Sequence, residues 1–338
     1  PVLWGLTFFH MIRGDLVTVR EMSAALLAQA EASARPAFLV GALHIGGVSR
    51  EFIGELVESS RMLERARELH DPLEHKNLTA MYGIDPGMQA RSMSARPLWA
   101  LGYPDRALAR SRETIEIGRS QRQRVTYVFA MIVAQGIHLY RGESAEAVAL
   151  GEQILALCHE YQFPQEAEWA RAFLGSAHAA LGETAQGIAE LEQSLVALQA
   201  LGSDLVRTVF LCLLADAHLR AGRADDGHRA IDAAFSHSQE TTEGGFLAEL
   251  HRVRGELFAL HRRDGEAEAE FRRSLDIARQ QQAKSFELRT ATALARLLKE
   301  TGRRGAGRDA LSSVFGWFTE GFDTGDLVAA RKVLSELE

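Results

Sequence analysis

The sequence predicts an all-α superhelical solenoid of about eight helix-turn-helix repeats, period about 40, ended by a C-terminal helix. Three observations carry this. A glycine-centred turn signal recurs at a 40-residue step, as LGYPDRAL at Gly102, RGESAEAV at Gly142, LGETAQGI at Gly182 and AGRADDGH at Gly222. Apolar residues flank each glycine at helical spacing, for example Phe173, Leu174, Ala177 and Leu181 before Gly182, then Ile188, Leu191, Leu195 and Leu198 after it. Alternating β-branched runs, the mark of half-buried strands, are missing from the sequence.

Glycine suits the left-handed residue that ends a first helix. The Asp, Glu or Ser that follows it is a natural cap for the second. One hairpin cannot bury its own apolar stripe, so neighbours stack and share a core. That continuous core replaces the two domains of ~150 residues that length alone suggests.

The units run in order over about 1–34, 35–71, 86–120, 121–161, 162–202, 203–240, 241–282 and 283–320, all within a single solenoid over 1–338. The first turns at Gly14 and the second at Gly46 and Gly47, followed by a long helix from near Glu51 to Asp71-Pro72. Residues 72–85 form an elongated connection, and Pro86 opens the next helix at its first turn. Units three to six turn at the four glycines above, the seventh at Gly265 and the eighth at Gly302, and a terminal helix occupies about 323–337. His10, His138, His178, His218 and His261 each lie four residues before a turn glycine. Successive units are ~10 Å apart, too far for equivalent rings to share one ion, so these histidines are read as fillers of the helix-helix contact.

With the turn glycine at position 15 of the unit, RAFLGSAHAAL places Leu174 and Gly175 as a Leu-Gly pair and His178 in an aromatic slot. The helix after it supplies Gly187 and Ser194 as small residues with Leu191 between them, and the next unit offers Leu214, Ala215, His218, Gly227, Ile231 and Ala234. This pattern resembles the tetratricopeptide (TPR) repeat in a longer-helix form, since that repeat is usually ~34 residues. The resemblance implies that first helices line a concave groove through positions 2, 5, 9, 12 and 13. Carried over, these give Ser92, Arg96 and Trp99; Phe129, Ile132 and Tyr140; Trp169 and Ser176; and Cys212, Asp216 and Arg220. Aromatic residues with a few polar anchors suit the grip on a peptide or helix. The Lys and Asn set of carboxylate-clamp TPRs is not matched.

Composition and motifs exclude much else. With 38 basic and 45 acidic residues the net charge is −7, which argues against nucleic acid as a partner. Between His251 and Ala310, 14 basic residues meet 9 acidic ones, but the signs alternate as on a solvated helix face. No apolar run approaches the ~20 residues of a membrane span. The chain opens on Pro1 without a leader pattern and reads as cut from something longer. Cys158 and Cys212 lack a CxxC context, which suits a reducing, cytoplasmic setting. None of the four lysines follows a glycine, so a phosphate-binding loop is excluded. HExxH and GxSxG do not occur, and the nearest metal-like spacing, His70 with Glu74 and His75, is interrupted by Pro72. The reading is therefore a non-enzyme with no catalytic residue, metal or cofactor.

Three stretches carry a more specific likeness: Tyr82–Gly87 with Leu98–Leu108, then Ala283–Arg289, then Gly316–Leu327, which contains WFTEGFDT. They resemble the C-terminal TPR region of large bacterial signalling ATPases of the STAND type. In that family a class III adenylate or guanylate cyclase domain, or a DNA-binding domain, comes first. The resemblance implies a protein or peptide partner, or the parent's own ATPase or cyclase domain, held in the groove. It also leaves open a sensor of small-molecule inducers, in which Trp99, Tyr140 and Trp169 stack on a sugar or nucleotide.

Overall fold

The computed structural model describes residues 1–33, 35–71, 77–121 and 123–338. Among the described residues every regular element is a helix. The first pairs are α1 (Val2–Ile12) with α2 (Leu16–Ser33) and α3 (Pro36–Ile53) with α4 (Leu56–Leu69). A short α5 (Leu78–Tyr82) precedes α6 (Pro86–Met93) and α7 (Ala95–Ala100), which together pair with α8 (Pro104–Gln121). Then come α9 (Arg124–Arg141) with α10 (Ser144–Tyr161), α11 (Pro164–Ala180) with α12 (Thr184–Ala200), and α13 (Arg207–Arg220) with α14 (Ala224–Thr241). The last pairs are α15 (Leu247–Leu260) with α16 (Asp264–Gln280) and α17 (Lys284–Glu300) with α18 (Arg304–Phe315), followed by α19 (Gly325–Glu336). The chain is a TPR-like superhelix of helix pairs.

The left-handed turn residues sharpen the period. Within the pairs they are Gly14, Gly54, Gly102, Gly142, Gly182, Gly222, Arg262 and Gly302. Two turn assignments from the sequence are corrected. Gly46 and Gly47 lie in the middle of α3, where a Cβ on Gly47 would come within 2.8 Å of Leu63 Cγ. Close helix packing, not a turn, requires them. Gly265 lies inside α16, and Arg262 (φ 57°) makes the seventh turn despite a left-handed cost of about 1–2 kcal/mol. The step is then 40 residues everywhere except from Gly54 to Gly102, where it is 48. A second series at the same step, Gln162, Gly202, Thr242 and Gln282, turns the chain between pairs.

Moving the seventh turn also removes His261 from the recurring slot, where Phe258 now stands. His10, His138, His178 and His218 keep it, the first three with Nδ1 3.0, 2.6 and 2.7 Å from carboxylates of Asp15, Glu143 and Glu190. The long helix expected from Glu51 starts instead at Leu56, because Gly54 (φ 91°) ends α3. Of the connection, 72–76 lie outside the described residues, as do Glu74 and His75 of the weak metal spacing. The remainder is not simply extended. It forms α5, whose Tyr82 ring packs 4.8 Å from Trp4. Asp85 then caps α6, accepting from the Gly87 and Met88 N–H groups at 2.9 and 3.1 Å. The helix breaks at Ser94 between α6 and α7, where Pro97 has no N–H to give the Met93 carbonyl.

The superhelix completes a turn within the chain, so early units meet late ones. The last carbonyls of a helix have no partner inside it. Here four inner helices find theirs one superhelical turn further on. The Ile12 carbonyl accepts from the Asp204 and Leu205 N–H groups at 3.0 and 3.2 Å, and that of Phe52 from Gly244 and Gly245 at 2.9 and 2.8 Å. The Trp99 carbonyl accepts from Ser285 Oγ at 2.5 Å and the Tyr140 carbonyl from Arg289 Nη2 at 2.8 Å. The turn glycines of these units abut the same neighbours: Gly14 faces Thr241, Gly54 faces Gln281, Gly102 faces Trp317 and Gly142 faces Gly325. Around Gly182, Gly222 and Gly302 a Cβ would meet nothing within 4 Å. The core follows suit, joining Trp4 and Leu43 to Trp99, Tyr140, Leu205 and Phe286 in one cluster.

Candidate functional site: a divided lumen

The first helices of the pairs line the inside of the superhelix, and two cavities occupy that lumen. The first halves of α9, α11 and α13, with α1, α3, α6 and α7, enclose about 210 Å³. Its wall is dominantly apolar and aromatic, including Phe8, Met11, Val48, Met93, Phe129 and Phe173. The second halves of α9, α11 and α13, with α15, α17 and α19, surround a larger space of about 570 Å³. That wall is charged. Tyr140 belongs to both. It is 5% exposed, stacks 4.6 Å from Trp99, and meets Phe173 and Phe246 at 6.4 and 6.2 Å. This aromatic partition separates the apolar chamber from the polar one, and burial pushes the Tyr140 hydroxyl up to about 12.

The polar chamber is held by a continuous ion network. Arg252 reaches Glu249 at 2.9 Å, Glu256 at 2.8 Å and Asp216 at 3.8 Å. Arg289 reaches Asp326 at 2.7 Å and Glu249 at 3.4 Å, and its guanidinium lies 4.8 Å from the Trp99 ring centre. Arg220 pairs with Asp216 at 2.6 Å one helical turn away. Although burial opposes it, the neighbouring guanidinium groups hold the Asp216 and Glu249 carboxyls below their ordinary range. Charge alternates around the chamber, while Arg220 and Arg296 stand exposed at its edge.

The fold is that of TPR-like helical repeat proteins. Solved structures similar to this chain include a Rap protein complexed with competence and sporulation factor, at 9% identity and TM-score 0.62, covering 99% of this chain and 96% of that one. Another is the Rap conjugation gene regulator of the plasmid pLS20 in complex with the Phr* peptide, at 10% identity and TM-score 0.57, with coverage of 99% and 96%. A third is the apo form of the quorum sensor NprR from B. thuringiensis, at 13% identity and TM-score 0.53, with coverage of 93% and 86%. At these identities the likeness is one of fold. No family model and no curated protein sequence matches the chain.

Across this TPR-like lumen the groove residues expected from sequence are divided. Arg96, Phe129, Ile132 and Trp169 border the apolar chamber with Tyr140; Ser176, Cys212, Asp216 and Arg220 border the polar one. Trp99 faces a small third cavity of about 30 Å³ behind the partition, together with Arg96. Arg96 is bound to the buried Glu51 at 2.8 Å. Ser92 borders none of these cavities; its hydroxyl donates to the Met88 carbonyl at 3.2 Å. Sequence reasoning passed over Glu249, Arg252, Glu256, Arg289 and Arg296. The signal was present: with the seventh turn at Arg262, Glu249, Arg252 and Glu256 fall at positions 2, 5 and 9, and Gly302 places Arg289, Thr292 and Arg296 likewise.

Apart from Tyr82–Gly87, whose Tyr82 packs against Trp4, the stretches that carry the family resemblance come together in space. Tyr103 packs against Trp317 at 5.6 Å, and Asp105 Oδ2 accepts from the Gly321 N–H at 2.8 Å. Glu320 accepts from the Asp105 and Arg106 N–H groups at 2.9 and 3.1 Å, and Lys284 Nζ lies 5.8 Å from the Trp317 ring. They form the seam between successive superhelical turns. Among the described residues no group of three His, Cys, Asp or Glu side chains is placed to hold a metal ion. No helix among them is long and apolar enough to cross a membrane.

Proposed function

We propose that this chain is a non-catalytic interaction arm of a larger bacterial signalling protein, and that it captures a peptide or a short protein segment at its polar chamber. The observation that carries this reading is the chamber's construction. It is about 570 Å³ in volume and lined from five successive units, with an ion network in its wall and the exposed Arg220 and Arg296 at its edge. Rigid charged groups that already satisfy one another offer hydrogen-bonding positions to a passing backbone without a change of net charge. Two solved structures with this fold, the Rap complexes described above, hold competence and sporulation factor and the Phr* peptide. The resemblance of the seam stretches to STAND ATPases supports a parent of the adenylate cyclase or ATPase type, whose own ATPase module is then a candidate occupant.

The test is selection from a displayed peptide library on the full chain, repeated with Arg220→Glu and Arg296→Glu together. Enriched peptides should lose at least ten-fold in affinity for the double variant while its helical circular dichroism is unchanged. Equal capture by both proteins would remove the polar chamber from consideration.

A further inference from the structure

The apolar chamber is not part of that peptide reading, and its chemistry points elsewhere. About 210 Å³ is well above the roughly 150 Å³ at which an apolar cavity stays dry and accepts benzene, so by proportion it has room for about eight to ten non-hydrogen atoms. The wall offers no unpaired positive charge. Arg96 is bound to Glu51, and burial holds the His44 imidazole neutral, down to about 4, while the half-buried Glu166 carboxyl is raised by burial. An anionic guest would lose its hydration without gaining a free counter-charge. Two buried polar atoms of the wall are left over, His44 Nδ1 and Trp169 Nε1, and of these only the indole N–H is a donor whatever the imidazole tautomer. Trp169 is 9% exposed, and its indole Nε1–H has no hydrogen-bond partner among the described residues. An unsatisfied buried donor is costly, so a guest that brings an acceptor gains selectively.

We propose that the apolar chamber is a binding site for a compact, uncharged apolar molecule of about eight to ten non-hydrogen atoms that carries one acceptor for the Trp169 N–H. A sugar or nucleotide is a poor match, because Trp99 and Tyr140, which stacking would require, are 3% and 5% exposed and stack on each other. Trp169 alone of the three faces the chamber without belonging to the partition.

Three probes of equal size isolate the terms: acetophenone (one acceptor, neutral), isopropylbenzene (neutral, no acceptor) and benzoate (charged). Each is titrated into the full chain, with the Ile132 δ1 methyl in the chamber wall as the NMR reporter. Both neutral probes should saturate the Ile132 shift and benzoate should not bind; because isopropylbenzene gains more from leaving water, the acceptor is read from the change in the acetophenone-to-isopropylbenzene ratio, which should fall about five-fold, a typical net hydrogen bond, in Trp169→Phe. That fall should come from weaker binding of acetophenone, with isopropylbenzene the less affected of the two. Several results would overturn the assignment: no shift at the solubility limit of either neutral probe, benzoate binding as tightly as acetophenone, or an unchanged ratio in Trp169→Phe. Displacement of acetophenone by a peptide selected on the polar chamber would also overturn it, making the space a side-chain pocket of the peptide site. Arg220→Glu with Arg296→Glu should leave acetophenone binding unchanged, which separates this inference from the peptide reading.

Discussion

Gly102 and Gly182 occupy the same place in their repeats and have nearly the same backbone, φ 96° and 97°. Alanine at Gly182 meets nothing within 4 Å and bears only the left-handed penalty, about 1–2 kcal/mol. At Gly102 the same methyl group would lie 2.5 Å from Trp317 Cζ3 and 2.8 Å from Lys284 Cβ. Trp317 is 37% exposed and offers only the far end of its side chain, but Lys284 Cβ sits on the backbone of α17 and moves only with it. Overpacking adds about 1–3 kcal/mol, so Gly102→Ala should cost about 2–5 kcal/mol in all. Urea unfolding followed by circular dichroism, with both variants beside the parent, reads the difference. Adding Trp317→Ala should return part of the excess, since it removes one of the two clashing groups. If Gly102→Ala costs no more than Gly182→Ala, the superhelical turns do not touch at the seam in solution, and the stacking described for the first four turns is refuted.

Arg289→Met should destabilise the protein by about 3 kcal/mol, since it strips a guanidinium from the buried Glu249, from Asp326 and from the Tyr140 carbonyl; Arg289→Lys should recover only part of this in the same urea assay. His44 is 2% exposed and held down to about 4 against an ordinary 6.5, so the unfolded chain binds its proton first on acidification. Stability from this site is therefore complete above pH 6.5 and falls by about 3 kcal/mol as pH drops to 4. His44→Phe should flatten that segment of a stability-against-pH curve, and an unchanged slope would contradict the burial of the neutral ring. Burial lifts the Cys158 thiol to about 12 and raises that of Cys212 as well. Iodoacetamide at pH 8 should then label neither in the native protein and both in urea, as mass spectrometry would show.

Local regularities of this fold were legible because each repeat writes its own helix spacing and turn. The reading failed where geometry departs from residue preference. Arg262 takes a left-handed turn that glycine usually takes, and Gly265 stands three residues away as a decoy. The groove frame was carried over only units three to six, so Glu249, Arg252 and Glu256 of the seventh unit went unread, as did Arg289 and Arg296 of the eighth, where the turn at Gly302 was placed correctly. Gly46 and Gly47 misled in another way, being small for the sake of Met62 and Leu63. Division of the lumen was not legible at all. It depends on the superhelical radius, which accumulates from small rotations between repeats and leaves no mark at any single position. The same holds for the seam, although its three stretches were singled out from sequence before anything placed them together.

Open solenoids are ordinarily quasi-one-dimensional, each unit sensing only its neighbours. Four helix-end carbonyls bonded one superhelical turn ahead change that property here. In form the chain is a coil spring near its solid length: the turns at Gly54 and Gly142 already lie against the backbone of Gly244 and Gly325, and lengthening would have to break the four carbonyl contacts.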